Sequence, residues 1–163
     1  MKKINLFVMI LMVLILSGCG KNGNVDFNKT ETVTFHNLTL EIPKDFIKDS
    51  ENSTNNIVFY SYDDTDKYNS CMLYLSLSNY PKSDIKKAIQ DGFLGKTDFT
   101  YNEKNINGNK WSIGYREQSI KSSQSFYVIN NNGKEYSLSY EDFGSGEDCA
   151  KALKVIENSL KFN

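Results

Sequence analysis

Two asparagine–glycine turns constrain how the C-terminal half of this chain can fold. Asn107-Gly108 and Asn131-Asn132-Gly133 each lie between segments in which apolar and polar residues alternate. A tight type I′ turn needs positive φ at both central positions, which asparagine and glycine tolerate. Each turn therefore predicts an antiparallel hairpin. The four predicted strands are Asp98–Ile106, Lys110–Ser119, Gln124–Asn130 and Glu135–Glu141.

Further strands are predicted before these hairpins. Ser70–Asn79 is the clearest predicted strand. One face carries Cys71, Leu73, Leu75 and Leu77, and the other carries Met72, Tyr74, Ser76 and Ser78. Because neither face is strongly polar, we expect this strand to be central and covered on both sides. The other predicted strands are Thr32–His36, Leu38–Ile42 and Ile57–Tyr62, whereas Lys44–Asn55 is interpreted as a loop or one helical turn. In the last strand, Tyr136, Leu138 and Tyr140 are predicted to face inward, and Glu135, Ser137, Ser139 and Glu141 to face water.

Two helices complete the pattern. Ser83 can cap a helix that continues to about Phe93. Ser145–Asp148 resembles a capping box, and the segment after it places Cys149, Ala152, Leu153, Ile156 and Leu160 on one helical face. The order of the predicted elements is a run of strands, a helix, a meander of strands and a final helix. This order predicts an α+β domain, in which helices flank an antiparallel sheet as an α/β/α sandwich.

The N-terminus indicates the compartment. Lys2 and Lys3 precede an apolar run from Leu6 to Leu16, which is typical of a secretory signal and too short for a membrane span. The sequence Leu16-Ser17-Gly18-Cys19 resembles a bacterial lipobox, which implies cleavage before Cys19 and acylation of its thiol, with palmitate-like chains as the anchor. We expect residues 1–18 to be the signal peptide, 19–31 a flexible tether and 32–163 a single domain. The expected location is the extracytoplasmic face of the cell membrane.

The composition and net charge of the chain limit the classes of partner that it can bind. The chain has a net charge of −1, and removal of Lys2 and Lys3 with the signal leaves 17 − 20 = −3. A basic footprint for nucleic acid is therefore absent from the sequence. Abundant lysine and asparagine with one arginine, Arg116, indicates an AT-rich genome; with the lipobox this suggests a low-GC Gram-positive bacterium. The expected partners are the membrane, through Cys19, and an envelope protein or glycan.

Three segments resemble PsbP-like and Mog1-like domains. Leu38–Phe46 resembles their opening strand with Ile-Pro and an aromatic residue, Asn107-Gly108 with Gly133–Leu138 resembles their meander, and Ile156–Phe162 resembles their terminal helix. The resemblance covers about residues 32–162. It implies a PsbP/Mog1-like fold and a non-enzymatic accessory or binding module, which in many bacterial members is a lipoprotein.

Catalytic and metal-binding patterns are weak. His36 is the only histidine, and it lies in a predicted turn without a nearby nucleophile motif, so we interpret it as a surface residue. One histidine and two distant cysteines do not make a zinc site. Asp63, Asp64 and Asp66 do not continue as a calcium-binding loop, because Asn69 and Leu75 occupy its required glycine and glutamate positions. We predict no metal, no cofactor and no catalytic residue.

Two features keep alternatives open. Cys71 and Cys149 lie on faces that can meet, so they form either a disulfide or two separate buried thiols. Tyr60, Tyr62, Tyr74 and Tyr80 form either an aromatic binding surface for sugar or peptide or, as we favour, part of the core. The leading functional hypothesis is a non-enzymatic envelope module. The alternatives are an envelope hydrolase using carboxylates such as Glu141 or Asp142, and a small solute-binding lipoprotein.

Overall fold

A computed structural model describes residues 29–64, 69–119, 122–144 and 147–163, which form ten strands and two helices. In chain order these are β1 (Thr30–Phe35), β2 (Leu38–Pro43), β3 (Ile47–Thr54), β4 (Ile57–Asp64), β5 (Asn69–Ser78), α1 (Ile85–Gly92), β6 (Thr100–Ile106), β7 (Asn109–Ser119), β8 (Ser122–Asn131), β9 (Lys134–Phe143), α2 (Glu147–Ser159) and β10 (Lys161–Phe162).

The strands form two antiparallel sheets. Seven of them make the main sheet in the order β3-β4-β5-β9-β8-β7-β6, and β1, β2 and β10 make a smaller sheet with β2 in the middle. One helix packs on each face of the main sheet. The predicted α+β class, with helices flanking an antiparallel sheet, is confirmed.

Both predicted hairpins are present. Asn107 and Gly108 have φ of 49° and 82°, and Asn132 and Gly133 have φ of 50° and 73°. These positive values are those of the turn type that the sequence predicts. The hairpins therefore join β6 to β7 and β8 to β9 at the predicted places.

The larger core lies between the main sheet, α2 and the β1–β2 hairpin. Strand β5 contributes Cys71, Leu73 and Leu75, and β9 contributes Leu138 and Tyr140. Helix α2 lays its predicted apolar face on this layer, with Cys149, Ala152 and Ile156 buried. The alternation in β5 and the amphipathic pattern of α2 thus identify the same interface from opposite sides.

The smaller core lies on the other face, between α1 and strands β7 and β8. Ala88, Ile89 and Phe93 pack against Phe126 and Val128. The helix begins after Asp84, whose carboxylate accepts a hydrogen bond from the Lys87 amide at 3.0 Å, so the cap is Asp84 and not the predicted Ser83. The predicted cover on the second face of β5 is therefore only partial, because α1 lies over β7 and β8 instead.

Glycines set the close approach of α1. A Cβ on Gly114 of β7 would clash with the side chain of Ile89, and a Cβ on Gly92 would lie 2.5 Å from the ring of Phe126. Only hydrogen at these positions lets the helix backbone approach this part of the sheet so closely. The two glycines thereby fix where α1 can rest.

Two sequence interpretations are wrong. Lys44–Asn55 contains strand β3 and is not a loop; the strand is polar because it is an edge strand exposed on most positions, with a bulge between Asp49 and Thr54. The terminal helix ends at Ser159 and does not continue to Phe162. Instead, Phe162 enters β10, pairs with Leu38 and stacks on Trp111 at a centroid distance of 6.0 Å.

Some predictions concern residues that the structure does not describe. These are the signal peptide, Cys19, most of the tether, Asp66 and the Ser145-Gly146 half of the capping box. Within the described ranges, neither helix is long and apolar enough to cross a membrane.

Candidate functional site

A groove lies on the main sheet beside α1, where the helix leaves strands β5 and β9 uncovered. Its cavity volume is about 490 Å³. The floor comes from alternate residues of β5, β8 and β9, and one wall comes from α1. The residues that define it are Phe59, Tyr74, Ser76, Lys82, Asp91, Gln124, Phe126, Glu135, Ser137, Ser139 and Glu141.

Side-chain size shapes the middle of this groove. Ser139 of β9 pairs across the sheet with Tyr74 on β5 and with Phe126 on β8. Directly paired residues project from the same face, so a short side chain stands between two aromatic rings. The result is a trough with aromatic walls. In the next row, the hydroxyl oxygens of Ser76 and Ser137 lie 2.6 Å apart and satisfy each other.

At one end of the groove, called here the inner end, Glu141 of β9 lies beside Gln124 of β8. Glu141 accepts a hydrogen bond of 2.8 Å from Nε2 of Gln124, whose carbonyl oxygen accepts one of 3.2 Å from Gln118. Burial raises the pKa of Glu141 above its usual value. Gln124 is itself buried, and it holds the carboxylate in place with a neutral donor.

The outer end carries an ion pair and a second carboxylate. Lys82 Nζ lies 2.7 Å from Oδ2 of Asp91, and the hydrogen bond from Lys82 lowers the pKa of that carboxyl. The Lys82 amide donates to Glu135 at 2.9 Å. These contacts hold the segment that leads into α1 against the start of β9.

The structure brings Cys71 and Cys149 together. They are joined as a disulfide with Cα atoms 5.8 Å apart, and both residues are fully buried. Asp142 pairs with Cys71 across the sheet, and burial raises the pKa of its carboxyl to about 6. Among the described residues its Oδ1 has no hydrogen-bond partner. The cross-link ties β5 to the first turn of α2.

The four candidate tyrosines do not form one surface. Tyr60 and Tyr62 are 8% and 9% exposed, and both point into the larger core. Tyr74 points to the opposite face, where it lines the groove and contacts Phe59 at a centroid distance of 4.6 Å. Tyr80 is 87% exposed and lies outside the groove. The alternative of one surface built from all four tyrosines is therefore not formed: Tyr60 and Tyr62 belong to the core, as favoured, and only Tyr74 contributes to this site.

His36 and the metal candidates add no chemistry to the groove. His36 has φ of 54° in the β1–β2 turn, and its ring Nε2 lies 2.7 Å from the carbonyl oxygen of Asn55. Within the described ranges, no cluster of three histidine, cysteine or acidic residues could hold a metal ion.

A second hollow, of about 540 Å³, lies between β2 and the end of α2. Its polar groups bind one another: Asn107 Nδ2 donates to the carbonyl oxygens of Asn158 and Leu160, each at 2.9 Å. Ser159 Oγ accepts from the Glu41 amide at 2.7 Å. We interpret this hollow as a structural joint, because Asn107 and Ser159 use their polar groups to connect the elements around it.

Sequence reasoning missed Gln124, Ser137 and Ser139 as site residues. It assigned the β9 serines to water, but they are only 7% exposed. The available signal was the second face of β5, where Met72 and Tyr74 favour a second layer. What the sequence could not provide was the position of α1 within that layer.

Solved structures with a similar fold are found for this chain, at low sequence identity. No protein-family model matches the chain, and a search of curated proteins finds no match. A solution structure of cyanobacterial PsbP (CyanoP) from Synechocystis sp. PCC 6803 matches with a TM-score of 0.51 and 14% identity, over 91% of this chain and 99% of that one. A crystal structure from Bacteroides thetaiotaomicron matches with a TM-score of 0.52 and 12% identity, over 83% of this chain and 48% of that one. This chain thus spans about half the length of the Bacteroides protein.

The chain therefore has a PsbP-like α+β fold, as its opening strand and meander predict.

Proposed function

We propose that this chain is a lipid-anchored module on the extracytoplasmic face of the cell membrane, which binds an envelope component without converting it. The observation that carries this proposal is the groove beside α1. It combines aromatic walls with polar groups that converge on one floor, as ligand sites do. The implied role of PsbP-like domains as accessory modules points the same way, although by analogy of fold.

The placement of the carboxylates supports binding over hydrolysis. Glu141 and Asp142 are consecutive residues of β9, so their side chains lie on opposite faces of the sheet. They cannot flank one substrate. Glu135 and Glu141 share the groove face, but six residues along a strand separate them by about 20 Å. Hydrolysis of a glycosidic bond uses carboxylates about 5 to 10 Å apart.

The N-terminal pattern supports the anchor. A lipid on Cys19 would leave the 11 residues from 19 to 29 before β1 begins at Thr30. Fully extended, such a tether reaches about 37 Å, which is enough to hold the domain clear of the membrane surface. Attachment by two acyl chains is stable, whereas a single chain binds reversibly.

The test compares the full chain with Cys19→Ala in a bacterial host, using Cys149→Ala as the matched cysteine control. We expect the parent and Cys149→Ala to enter the detergent phase on Triton X-114 partitioning, and Cys19→Ala to remain in the aqueous phase or unprocessed. Equal partitioning of all three would contradict the anchor.

The binding half of the proposal needs its own measurement. The parent chain is crosslinked in native membranes, and the enriched envelope component is analysed by mass spectrometry before and after incubation with pure protein. We expect recovery of an unchanged component. Its chemical conversion by the pure protein would overturn the non-enzymatic assignment.

A further inference from the structure

We propose that the groove binds a primary alkylammonium group, of the kind at the end of a lysine side chain, and that the cation lies at Glu141. This inference rests on the proposed function, since it names the ligand chemistry of the same groove. It is carried by the charges along the groove and by the shape of the floor.

Of the three carboxylates that line the groove, only Asp91 has an ion pair among the described residues, with Lys82. Glu135 accepts the neutral backbone amide of Lys82, at the end of the groove where that lysine supplies a cation. Glu141 lies at the other end, two residues from Ser139 in the aromatic trough. Glu141 is held by the neutral amide of Gln124, and within the described part of the chain no lysine or arginine forms an ion pair with it. A partly buried carboxylate favours a cationic ligand and repels anions.

The nearest cation in the same cross-strand row is already engaged. Met72, Glu141, Gln124 and Arg116 follow one another across β5, β9, β8 and β7. Arg116 is two strands from Glu141, and its Nε donates to Asp98 at 3.0 Å. That contact lowers the pKa of Asp98, and Arg116 is not among the residues that line the groove.

The trough next to Glu141 fits a narrow alkyl chain. Tyr74 and Phe126 stand two strand spacings apart, about 9.6 Å between backbones, with Ser139 between them. Aromatic faces attract ammonium groups and also pack against methylenes. The Ser139 hydroxyl on the floor accepts a hydrogen bond of 3.4 Å from Gln124 and keeps a second lone pair for an N–H group of the ligand. A bulky planar ligand would be harder to place between the rings.

The test measures binding of small soluble probes to the full chain in detergent micelles, by calorimetry and by NMR of the aromatic side chains. The probe is Nα-acetyl-lysine amide. Its matched controls are Nα-acetyl-norleucine amide, which lacks the ammonium, and the Nε-acetylated lysine derivative. We expect the lysine probe to bind at least about tenfold more tightly than either control and to shift the ring protons of Tyr74.

Variants locate the cation. Glu141→Gln keeps an acceptor for Gln124 but removes the charge, and should weaken the lysine probe about tenfold. Glu51→Gln removes an exposed carboxylate on β3, outside the groove, and should leave binding unchanged. If a variant fails to fold, the shifts of the Tyr74 ring protons in the parent chain still test whether the lysine probe binds in the groove.

Equal binding of all three probes, or binding insensitive to Glu141→Gln, would overturn the ammonium site and leave a neutral binding groove in place. No binding of any probe would also overturn it. The proposed function is judged separately, by the fate of the crosslinked envelope component and by membrane partitioning.

Discussion

Reduction of the Cys71–Cys149 bond should lower the free energy of unfolding by about 4.5 kcal/mol. The two residues are 78 positions apart, and the closed loop contains α1 and strands β6 to β9. Opening a loop of that size returns about 15 cal/mol/K of chain entropy to the unfolded state, which gives this figure at 25 °C. The effect acts on the unfolded chain, so the folded structure should change little.

Urea unfolding measures this loss. With a slope of about 2 kcal/mol/M for a domain of this size, the midpoint should fall by about 2 M after reduction. Both cysteines are fully buried, so the reductant must be added in urea before refolding. The control is Cys149→Ala, whose midpoint should not respond to the reductant.

Two results would refute this reasoning. One is an intact mass showing Cys71 and Cys149 both alkylated in protein unfolded without reductant, which would identify them as separate thiols. The other is a reduction that leaves the midpoint of the parent chain within about 0.3 M, because the worked loop entropy would then be absent.

Three further changes probe the fold. Asn107→Gly keeps the positive φ but loses both hydrogen bonds to the α2–β10 connection, so it should cost about 1 to 2 kcal/mol in urea unfolding; no loss would contradict the joint. Gly114→Ala should cost about 1 to 3 kcal/mol and shift the NMR signals of α1, since the added Cβ meets Ile89 and Phe93. Unchanged signals would show that the helix is not fixed there. Asp142 keeps its proton to about pH 6 when folded, whereas unfolded aspartate titrates near 3.9, so ionisation destabilises the fold as pH rises from about 4 to 6. Allowing for its partial exposure, the loss should be about 1 kcal/mol; Asp142→Asn should flatten this part of the stability curve, and an unchanged curve would contradict the assignment.

Local chemistry made the hairpins and the larger core predictable. Asn107-Gly108 requires a backbone conformation that few other residues accept, so the turn can be located without knowing what surrounds it. The alternation in β5 and the apolar face of α2 are likewise properties of short segments. Such signals identify which faces must be buried, and they also indicated that Cys71 and Cys149 could meet.

The missed elements depend on distant partners. Strand β3 has little apolar alternation, because it is an edge strand and most of its side chains meet solvent. Strand β10 is two residues long, and it exists because β2 offers pairing for Phe162 while Trp111 and Tyr136 receive its ring. Neither strand could be recognised from its own residues.

The groove shows why polar alternation in a strand does not by itself mean exposure to water. Ser137 and Ser139 alternate with apolar residues, which is the pattern of a solvated face, yet both are buried. Residues far away in sequence become their neighbours in the order β5-β9-β8: Ser139 lies between Tyr74 and Phe126, and Ser137 lies between Ser76 and Val128. Glycines in α1 and β7 then hold the helix over β7 and β8, and this leaves the row of serines as the floor of a groove. The candidate site is therefore a product of topology and of where one helix is allowed to rest.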